Sequence, residues 1–237
     1  MHVGRTARER ARAELTREIK DEARRQLAQS GSDGLSLRAV ARQLGMVSSA
    51  LYRYFPNRDH LLTALIVDAY NAVGVVAENA NAAAAPTDLR VRWGNVCQAV
   101  RAWARAHPHE YALVYGSPVP GYHAPEITIV PAARVPLVLV AIVRDAWAGG
   151  ALTLDPMQAS FTPLLAQQIG NLAATVAPEL PQDLLVRALI AWTQLFGMIS
   201  FEVFGHLVGS VDPSDEFFVH AVERMADFVG LPPSSQG

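Results

Sequence analysis

The 237-residue sequence has a single cysteine, Cys97, and few long apolar runs. One cysteine excludes an intrachain disulfide framework and any metal site built from cysteines alone, and it fits a reducing cytoplasm. The longest mostly apolar run, residues 188–201, has 14 residues, fewer than the roughly 18 that indicate a membrane span. The charged residues 1–34 lack the apolar core of a signal peptide. We therefore expect a cytoplasmic protein without a membrane partner.

Signals for β-strands and for enzymes are equally scarce. No turn dipeptide separates two alternating apolar runs, and the β-branched residues fall within helix-period patterns, so we predict an all-α fold. Dinucleotide-binding, Walker and nucleophile-elbow motifs are absent, which gives no support for an enzyme, a catalytic residue or a cofactor. Pro108 separates His107 from His109 and no third ligand has a fixed spacing, so no metal site is expected. Glu202 and His206, four residues apart, are expected to form a polar pair.

The apolar spacing divides the chain into helices separated by Gly and Pro. Pro86 follows an Ala-rich stretch and marks a domain boundary. Gly116–Pro131, with four prolines, is expected to be an ordered loop. The predicted helices are Thr6–Gln29, Ser36–Gly45, Ser48–Phe55, 57–80, Thr87–Ala106, Glu110–Tyr115, Ala132–Ala148, Phe161–Ala177, Gln182–Val208 and Ser214–Val229.

Charge is distributed unevenly along the chain. Residues 1–60 contain 12 Lys and Arg against 7 Asp and Glu, whereas residues 61–237 contain 8 against 15. A basic first quarter joined to an acidic remainder suggests a polyanion-binding head on a body that does not bind polyanions. A charged helix that is merely solvated would give the same asymmetry.

Residues 35–65 have the features of a helix-turn-helix, two short helices joined by a tight turn around a glycine. Ala41 is small where the helices must cross, and Gly45 can adopt the positive φ of the turn. Four apolar residues can face inward and hold the pair together: Val40, Leu44, Leu51 and Phe55. The alternative is a plain helical hairpin with a polar outer face.

The outward face of the second short helix carries hydroxyl, phenol and guanidinium groups, on Ser48, Ser49, Tyr52, Arg53 and Tyr54. Such groups hydrogen-bond phosphates and base edges. Arg58, just after the expected cap Asn57, can hold a phosphate together with the N–H groups of a helix start. Arginines near the N-terminus suggest a flexible arm that reaches DNA: Arg5, Arg8, Arg10 and Arg12.

This stretch resembles the DNA-binding domain of TetR-family transcriptional regulators. The family pattern runs from a helix-entry Ser or Thr and an Arg, through a small residue and a Gly turn, to a recognition helix containing A-L-Y-x-H-F and then K/N-K-E-x-L-L. Here those positions read Ser36-Leu37-Arg38, Ala41, Gly45, Val47–Phe55 and Asn57–Leu62. Tyr54 replaces the common His and Arg58 the common Lys, and both keep a donor to phosphate. The resemblance covers residues 7–70.

The resemblance implies a DNA-binding helix-turn-helix domain at 1–60, with helix 57–80 linking it to a helical ligand-binding and dimerisation domain at 81–237. The implied DNA contacts are Ser36, Arg38, Ser48, Ser49, Tyr52, Arg53, Tyr54 and Arg58. Of these, Tyr52 and Arg58 correspond to phosphate positions, and Ser48, Ser49 and Arg53 are the expected base readers. Residues 101–125 resemble a subgroup whose fifth helix ends at His-Pro and is followed by Y-x-L-x-x-G-x-P-V-P-G-Y.

The second domain is rich in aromatic residues on helices, from which we expect a cavity for a small apolar or aromatic molecule. The candidate lining residues are Trp103, Tyr111, Tyr115, Trp147 and Phe161, with Gln167 or Asn171 as polar anchors. For each of them, ordinary core packing is the alternative.

The last two long helices are apolar around much of their surface, so we expect two such helices from each of two chains to form the four-helix interface at which TetR-like proteins dimerise. The candidate interface residues are Leu195, Ile199, Phe218, Val222 and Met225. In the alternative, a monomer, these helices pack only on their own domain.

Together these features predict a homodimeric regulator that binds a near-palindromic operator as a repressor and is released by a small molecule. An activator or an effector-independent regulator would have the same fold. A third alternative is an all-α small-molecule-binding protein with a vestigial helix-turn-helix, against which the basic, hydroxyl-rich face argues.

Overall fold

The computed structural model describes residues 6–31, 34–152 and 161–233, and within them it contains helices and no β-strand. The predicted all-α fold is confirmed. The described residues form ten α-helices: α1 (Ala7–Ser30), α2 (Leu37–Gln43), α3 (Ser48–Leu51), α4 (Arg58–Ala82), α5 (Leu89–Ala106), α6 (Pro108–Tyr115), α7 (Ile129–Ala148), α8 (Pro163–Val176), α9 (Gln182–Val203) and α10 (Asp215–Phe228).

The chain forms two compact units that interrupt each other in sequence. Unit 1 comprises residues 1–70 and 107–129, and unit 2 comprises residues 71–106 and 130–237. This arrangement differs from the predicted division, which placed 107–129 in the second domain. The reason is packing: four apolar side chains of this segment lie against the core of unit 1, namely Leu113, Val114, Val119 and Tyr122.

Helix α1 begins with a capping box, in which the side chain of Thr6 accepts from the backbone of Glu9 and that of Glu9 from the backbone of Thr6. This cap satisfies N–H groups that a helix start would leave without partners. Arg8, Arg10 and Arg12 are therefore helical and not part of a flexible arm, while Arg5 lies outside the described residues.

The helix-turn-helix forms largely as predicted. Ser36 caps α2 by accepting a hydrogen bond from the N–H of Ala39, and Gly45 has a φ of +65° in the turn. Ala41, at the crossing of α2 and α3, is completely buried. Helix α3 ends at Leu51 and not at Phe55, because Arg53 and Tyr54 donate to carbonyls only three residues back, as in a 3₁₀ turn.

The core of unit 1 lies between α1, the helix-turn-helix and the first half of α4. Its largest fully buried aliphatic side chains are Ile19, Leu51, Leu61, Leu62 and Leu65, and Tyr111 of α6 is also completely buried in unit 1. Of the four residues predicted to hold the short helices together, Val40, Leu51 and Phe55 are buried and Leu44 is half-buried. This core fixes the orientation of α3.

Unit 2 is a helical bundle in which α5, α9 and α10 contact one another and α8 packs against α9. Its core includes Trp93, Leu139, Ile142, Leu185 and Leu195. Two helix boundaries differ from the prediction by a few residues. Helix α7 starts three residues earlier than predicted, after a short 3₁₀ turn at Glu126–Thr128, and α9 ends at Val203 and not at Val208.

Among the described residues, three helical segments are long and apolar enough to cross a membrane, judged by length and composition alone: Arg58–Ala82, Glu126–Ala148 and Gln182–Val203. The longest mostly apolar run, 14 residues, predicts no membrane span. The two results differ because a membrane span tolerates scattered polar residues. About two fifths of the most apolar window of each is buried within the protein, at 44%, 39% and 44%. The central helices of a bundle can have the same composition as membrane spans.

Candidate DNA-binding site

Helix α3 presents its polar residues to solvent at the surface of unit 1. Ser48 and Ser49 are exposed at its first turn, and Tyr52 and Arg53 are exposed just beyond its last residue. The opposite side of the helix is held in the core by Leu51. The predicted outward face therefore exists as an accessible surface, and its groups can form hydrogen bonds to phosphates and base edges.

Helix α2 adds two of the predicted contacts. Arg38, in its first turn, is exposed. Ser36 is half-buried, and its backbone N–H donates to Oε1 of Gln26 at 3.3 Å while its Oγ accepts from Ala39 at 3.4 Å. The hydroxyl of Ser36 thus has a structural role as a cap, and its proton can still be donated to a neighbouring phosphate.

The predicted contact residue Tyr54 is half-buried beneath an arginine of α1. The guanidinium carbon of Arg12 lies 5.2 Å from the centre of the Tyr54 ring, and Nη2 of Arg12 lies 3.5 Å from the carbonyl oxygen of Arg53. Arg12 thus joins α1 to the end of the recognition segment. Local sequence patterns do not predict this role of Arg12, since the pairing connects residues 41 positions apart.

The start of α4 provides a third part of this surface. Oδ1 of Asn57 accepts from the backbone N–H of His60 at 2.9 Å, which confirms the predicted cap. Arg58 is half-buried and its Nη1 lies 4.0 Å from Oδ1 of the exposed Asp59. The partial positive charge of a helix start and the Arg58 guanidinium both favour a phosphate at this position.

The segment after α5 supports α4 from within unit 1. The hydroxyl of Tyr122 lies 2.9 Å from Oγ1 of Thr63, and the hydroxyl of Tyr70 donates to the carbonyl oxygen of Val114 at 3.2 Å. No local sequence pattern predicts these two hydrogen bonds. The only available signal was the run of Tyr, Gly and Pro at 111–122, whose contacts with 63–70 are distant in sequence.

Ion pairs connect α1 to the middle of α4. Oδ2 of Asp68 lies 2.6 Å from Nζ of Lys20 and 2.7 Å from Nη2 of Arg24. Arg24 also lies 2.6 Å from Oδ1 of Asp21 and 3.8 Å from Glu110 of α6. Lys20 and Arg24, two of the basic residues of the first quarter of the chain, are therefore paired with carboxylates.

The predicted ligand-binding residues do not gather in one unit. Tyr111 and Tyr115 belong to unit 1, where their ring centres lie 5.1 Å apart and that of Tyr115 lies 5.8 Å from that of Tyr70. Burial, and to a lesser extent the neighbouring phenols, raises the pKa of Tyr115. Trp103 is buried in unit 2. The other predicted residues of unit 2 are accessible: Trp147, Gln167 and Asn171 are exposed and Phe161 is half-buried.

One cavity within unit 2 is formed by residues 87–91 together with Pro232 and Pro233. Its volume is about 190 Å³ and none of the predicted ligand residues lines it. It is smaller than the roughly 300 Å³ at the lower end of typical ligand sites.

The five predicted interface residues are buried within their own chain, which corrects that assignment. Leu195, Ile199, Phe218, Val222 and Met225 are each at most 3% exposed. Their apolar spacing reflects packing among α5, α9 and α10, with the Phe218 ring 4.6 Å from the guanidinium carbon of Arg101. The exposed apolar side chains of α9 lie on another face and include Ile190 and Phe201.

The predicted pair of Glu202 and His206 is replaced by a buried ion pair. Nε and Nη2 of Arg101 each donate to the Glu202 carboxylate at 2.7 Å, and Oγ of Ser214 donates to it at 2.9 Å. Burial raises the pKa of Glu202, but the hydrogen bonds from Arg101 and Ser214 outweigh it, so the pKa is lowered. His206 instead lies against the ring of Phe201, at 5.1 Å.

Two family models match the chain. Residues 19–65 match "Bacterial regulatory proteins, tetR family", and residues 93–225 match "Tetracyclin repressor-like, C-terminal domain". The first match includes the helix-turn-helix and the second covers most of unit 2. The match over 93–225 extends over more than half of the chain.

Similar proteins and solved structures agree with these two family matches. The chain is 39% identical over 212 residues to the HTH-type transcriptional regulator Rv1816 of Mycobacterium tuberculosis, covering 82% of this chain and 83% of the relative. The crystal structure of regulatory protein SCO4313 superposes with a TM-score of 0.76 at 35% identity, covering 94% of this chain and all of that one. A Rhodococcus sp. RHA1 protein of unknown function follows with a TM-score of 0.67, at 26% identity and with 92% and 96% coverage.

These names describe transcriptional regulators and not enzymes, in agreement with the sequence. The helix-turn-helix geometry of residues 37–51 and the two family matches lead to one assignment. The chain belongs to the TetR family of bacterial transcriptional regulators and carries its DNA-binding domain at the N-terminal end.

Proposed function

We propose that this regulator is a homodimeric repressor that binds a near-palindromic operator through α3 and is released by a small aromatic molecule. The observation that carries the proposal is the exposed face formed by Ser48, Ser49, Tyr52 and Arg53. A helix that presents its first turn to solvent can place these side chains against base edges in the major groove. Arg38 and Arg58 flank this face and supply phosphate contacts.

The dimer is proposed to form through an apolar stripe of α9 that the chain itself leaves uncovered. Its exposed members on α9 are Ile190, Gly197 and Phe201, and the polar Gln194 and the C-cap Phe204 continue their heptad spacing. A Cβ atom at Gly197 would meet no other atom within 4 Å, so a second helix can approach closely there. Such a stripe pairs with a symmetry-related copy of itself in a two-fold dimer.

Ligand binding is proposed for unit 2 because its described residues include buried N–H groups that have no hydrogen-bond acceptor. In the described part of the chain, the indole N–H groups of Trp93 and Trp192 are buried and have no hydrogen-bond partner. A buried donor without an acceptor is unfavourable, and an acceptor group on a bound molecule would relieve that cost. The proposed effector is therefore an aromatic molecule with a carbonyl, phenol or carboxylate group.

Release from DNA follows if the effector prefers a state in which the two recognition helices are wrongly spaced. Its effect on DNA affinity is limited to that preference, typically about 1–3 kcal/mol. Linkage also requires operator DNA to weaken effector binding by the same factor.

Footprinting of the promoter beside the protein's own gene tests operator binding. We expect one protected near-palindrome with half-sites about 34–36 Å apart, or a simple multiple of this distance. Transcription in vitro from that promoter should fall on addition of the protein. Increased transcription would instead identify an activator, and a footprint unchanged by a panel of phenols and benzoates would favour an effector-independent regulator.

A further inference from the structure

An apolar side chain at the start of the recognition helix is largely exposed to solvent. Val47 is 70% exposed, although valine is normally a core residue. It immediately precedes Ser48 and Ser49, the first residues of α3, which are also exposed.

Val47 also occupies a position for which valine is poorly suited. It is the N-cap of α3 and supplies no side-chain hydrogen bond to the helix start. The other helices that build this face, α1, α2 and α4, are capped by Thr6, Ser36 and Asn57. Ser, Thr, Asp and Asn stabilise a helix start where valine does not. A residue that breaks a local rule without a structural gain marks a candidate functional position.

The local backbone directs this side chain away from the core. Gly45 makes the turn, and the N–H of Met46 donates to the carbonyl oxygen of Ala41 at 2.8 Å. Met46 packs against the core of unit 1. Val47 has extended backbone angles, φ −70° and ψ 136°, so its side chain points away from that of Met46. The exposure of Val47 is thus a consequence of the turn.

We infer that Val47 is a specificity-determining residue that reads the C5-methyl group of a thymine in each half-site. The first residues of a recognition helix contact base edges. In the major groove, the thymine methyl is the apolar group that distinguishes one base, and apolar side chains contact it. This inference rests on the proposed binding of α3 in the major groove and adds a reader to the predicted polar ones, Ser48, Ser49 and Arg53.

The test removes the methyl group from the DNA and from the protein separately. The preferred duplex is first selected from random sequences with the wild-type protein, and each thymine of a half-site is then replaced by deoxyuridine. We expect one position at which this replacement weakens wild-type binding about fourfold per half-site, the equivalent of ~0.8 kcal/mol for one buried methyl group. With Val47→Ala the same replacement should have almost no effect.

Val47→Thr separates a DNA contact from a structural role. Threonine keeps one methyl group and adds a hydroxyl that can cap α3, so we expect a higher melting temperature together with weaker discrimination between thymine and deoxyuridine. A purely structural role would change stability and DNA binding in the same direction. Val91→Ala, a truncation at another exposed valine, is the control and should leave the deoxyuridine effect unchanged.

Equal losses for wild type and Val47→Ala at every deoxyuridine position would overturn the inference. So would a wild-type protein that binds all deoxyuridine duplexes as tightly as the parent. If the selection enriches no sequence, operator binding itself fails, and this outcome is distinguishable from an enriched site without a methyl effect.

Discussion

The hydroxyl oxygen of Tyr122 lies 2.9 Å from Oγ1 of Thr63, and this hydrogen bond joins the loop after α6 to the first half of α4. The two residues are 59 positions apart, and Tyr122 also packs against the core of unit 1. The DNA-binding unit of this chain therefore includes residues 107–129 as well as the N-terminal helices.

Removing the Tyr122 hydroxyl should destabilise unit 1 modestly without changing its packing. Tyr122→Phe and Thr63→Val are each expected to lower the free energy of unfolding by about 0.5–1.5 kcal/mol, the usual net value of one hydrogen bond. Because both remove the same bond, their effects should not add in the double variant. Urea unfolding of the four proteins measures this coupling, and strictly additive losses would show that the hydroxyls do not interact.

Glu202 should make stability depend on pH because its pKa is lowered in the folded protein by the hydrogen bonds from Arg101 and Ser214. A carboxyl with a depressed pKa stabilises the fold above its unfolded pKa, and this contribution is lost as the pH falls through the folded value. Glu202→Gln leaves Arg101, which is 4% exposed, without its main partner. We expect a loss of about 3 kcal/mol at pH 7, near the lower end for a broken buried pair because Asp215 remains.

The comparison of wild type and Glu202→Gln in urea between pH 3 and pH 7 tests this assignment. The difference in unfolding free energy should be constant near neutral pH and shrink below about pH 4.3, the ordinary pKa of a glutamate. Asp215→Asn is the matched control, since the Asp215 side chain is 60% exposed and should contribute much less. A difference that is independent of pH would exclude Glu202 as the titrating group.

Local sequence signals predicted the helix-turn-helix well because each depends on neighbouring residues. The caps at Ser36 and Asn57 and the positive φ of Gly45 all formed. The exposed face of α3 followed from the inward packing of Leu51. The DNA contacts themselves stay predictions.

Signals that require tertiary information were misassigned. The spacing of Phe218 and Val222 revealed an apolar face but not which surface covers it, and the chain covers it itself. The docking of Tyr122 on α4 depends on residues separated by the whole of α5. The sequence predicts a flexible DNA-binding arm that includes Arg12, because no local pattern indicates that its guanidinium lies over Tyr54.

The two arginines of the proposed DNA surface should affect binding differently. Arg58→Ala is expected to weaken binding to all duplexes and to reduce the dependence of affinity on salt by about one phosphate contact. Arg53→Ala should relax sequence preference at one position, by about 1–3 kcal/mol if Arg53 makes a bidentate base contact. Arg224→Ala, on the exposed side of α10, is the control. Fluorescence anisotropy with specific and random duplexes at several salt concentrations distinguishes the two roles.

Alanine at Gly74 should be destabilising because of Arg134, and shortening Arg134 should reduce the loss. A Cβ at Gly74 would lie 2.7 Å from Nε of Arg134 and 2.8 Å from its Cβ and Cδ. Arg134 is held there by Glu78, at 2.6 and 2.8 Å, and by Oδ1 of Asn71, at 2.8 Å. Gly74→Ala is therefore expected to destabilise wild type. In an Arg134→Ala background, the contacts with Nε and Cδ are absent but the Cβ of residue 134 remains 2.8 Å from the new methyl group, so the loss should be smaller but not reversed. Thermal unfolding of both pairs measures the two losses, and a gain in wild type would contradict the contact.

Charges at Phe201 and Val222 should separate assembly from folding. Phe201 is 55% exposed in the single chain, so Phe201→Asp should fold normally. In a dimer formed through the α9 stripe it would bury an unpaired carboxylate, and we expect a folded monomer with weakened operator binding. Val222 is 3% exposed, so Val222→Asp should unfold unit 2 instead of dissociating a dimer. Val219→Asp, at a 50% exposed position of α10, is the control for added charge. Sedimentation and circular dichroism of the three variants measure both properties. A dimeric Phe201→Asp protein would place the interface elsewhere, because an unpaired charge at the centre of the stripe cannot be accommodated without a partner.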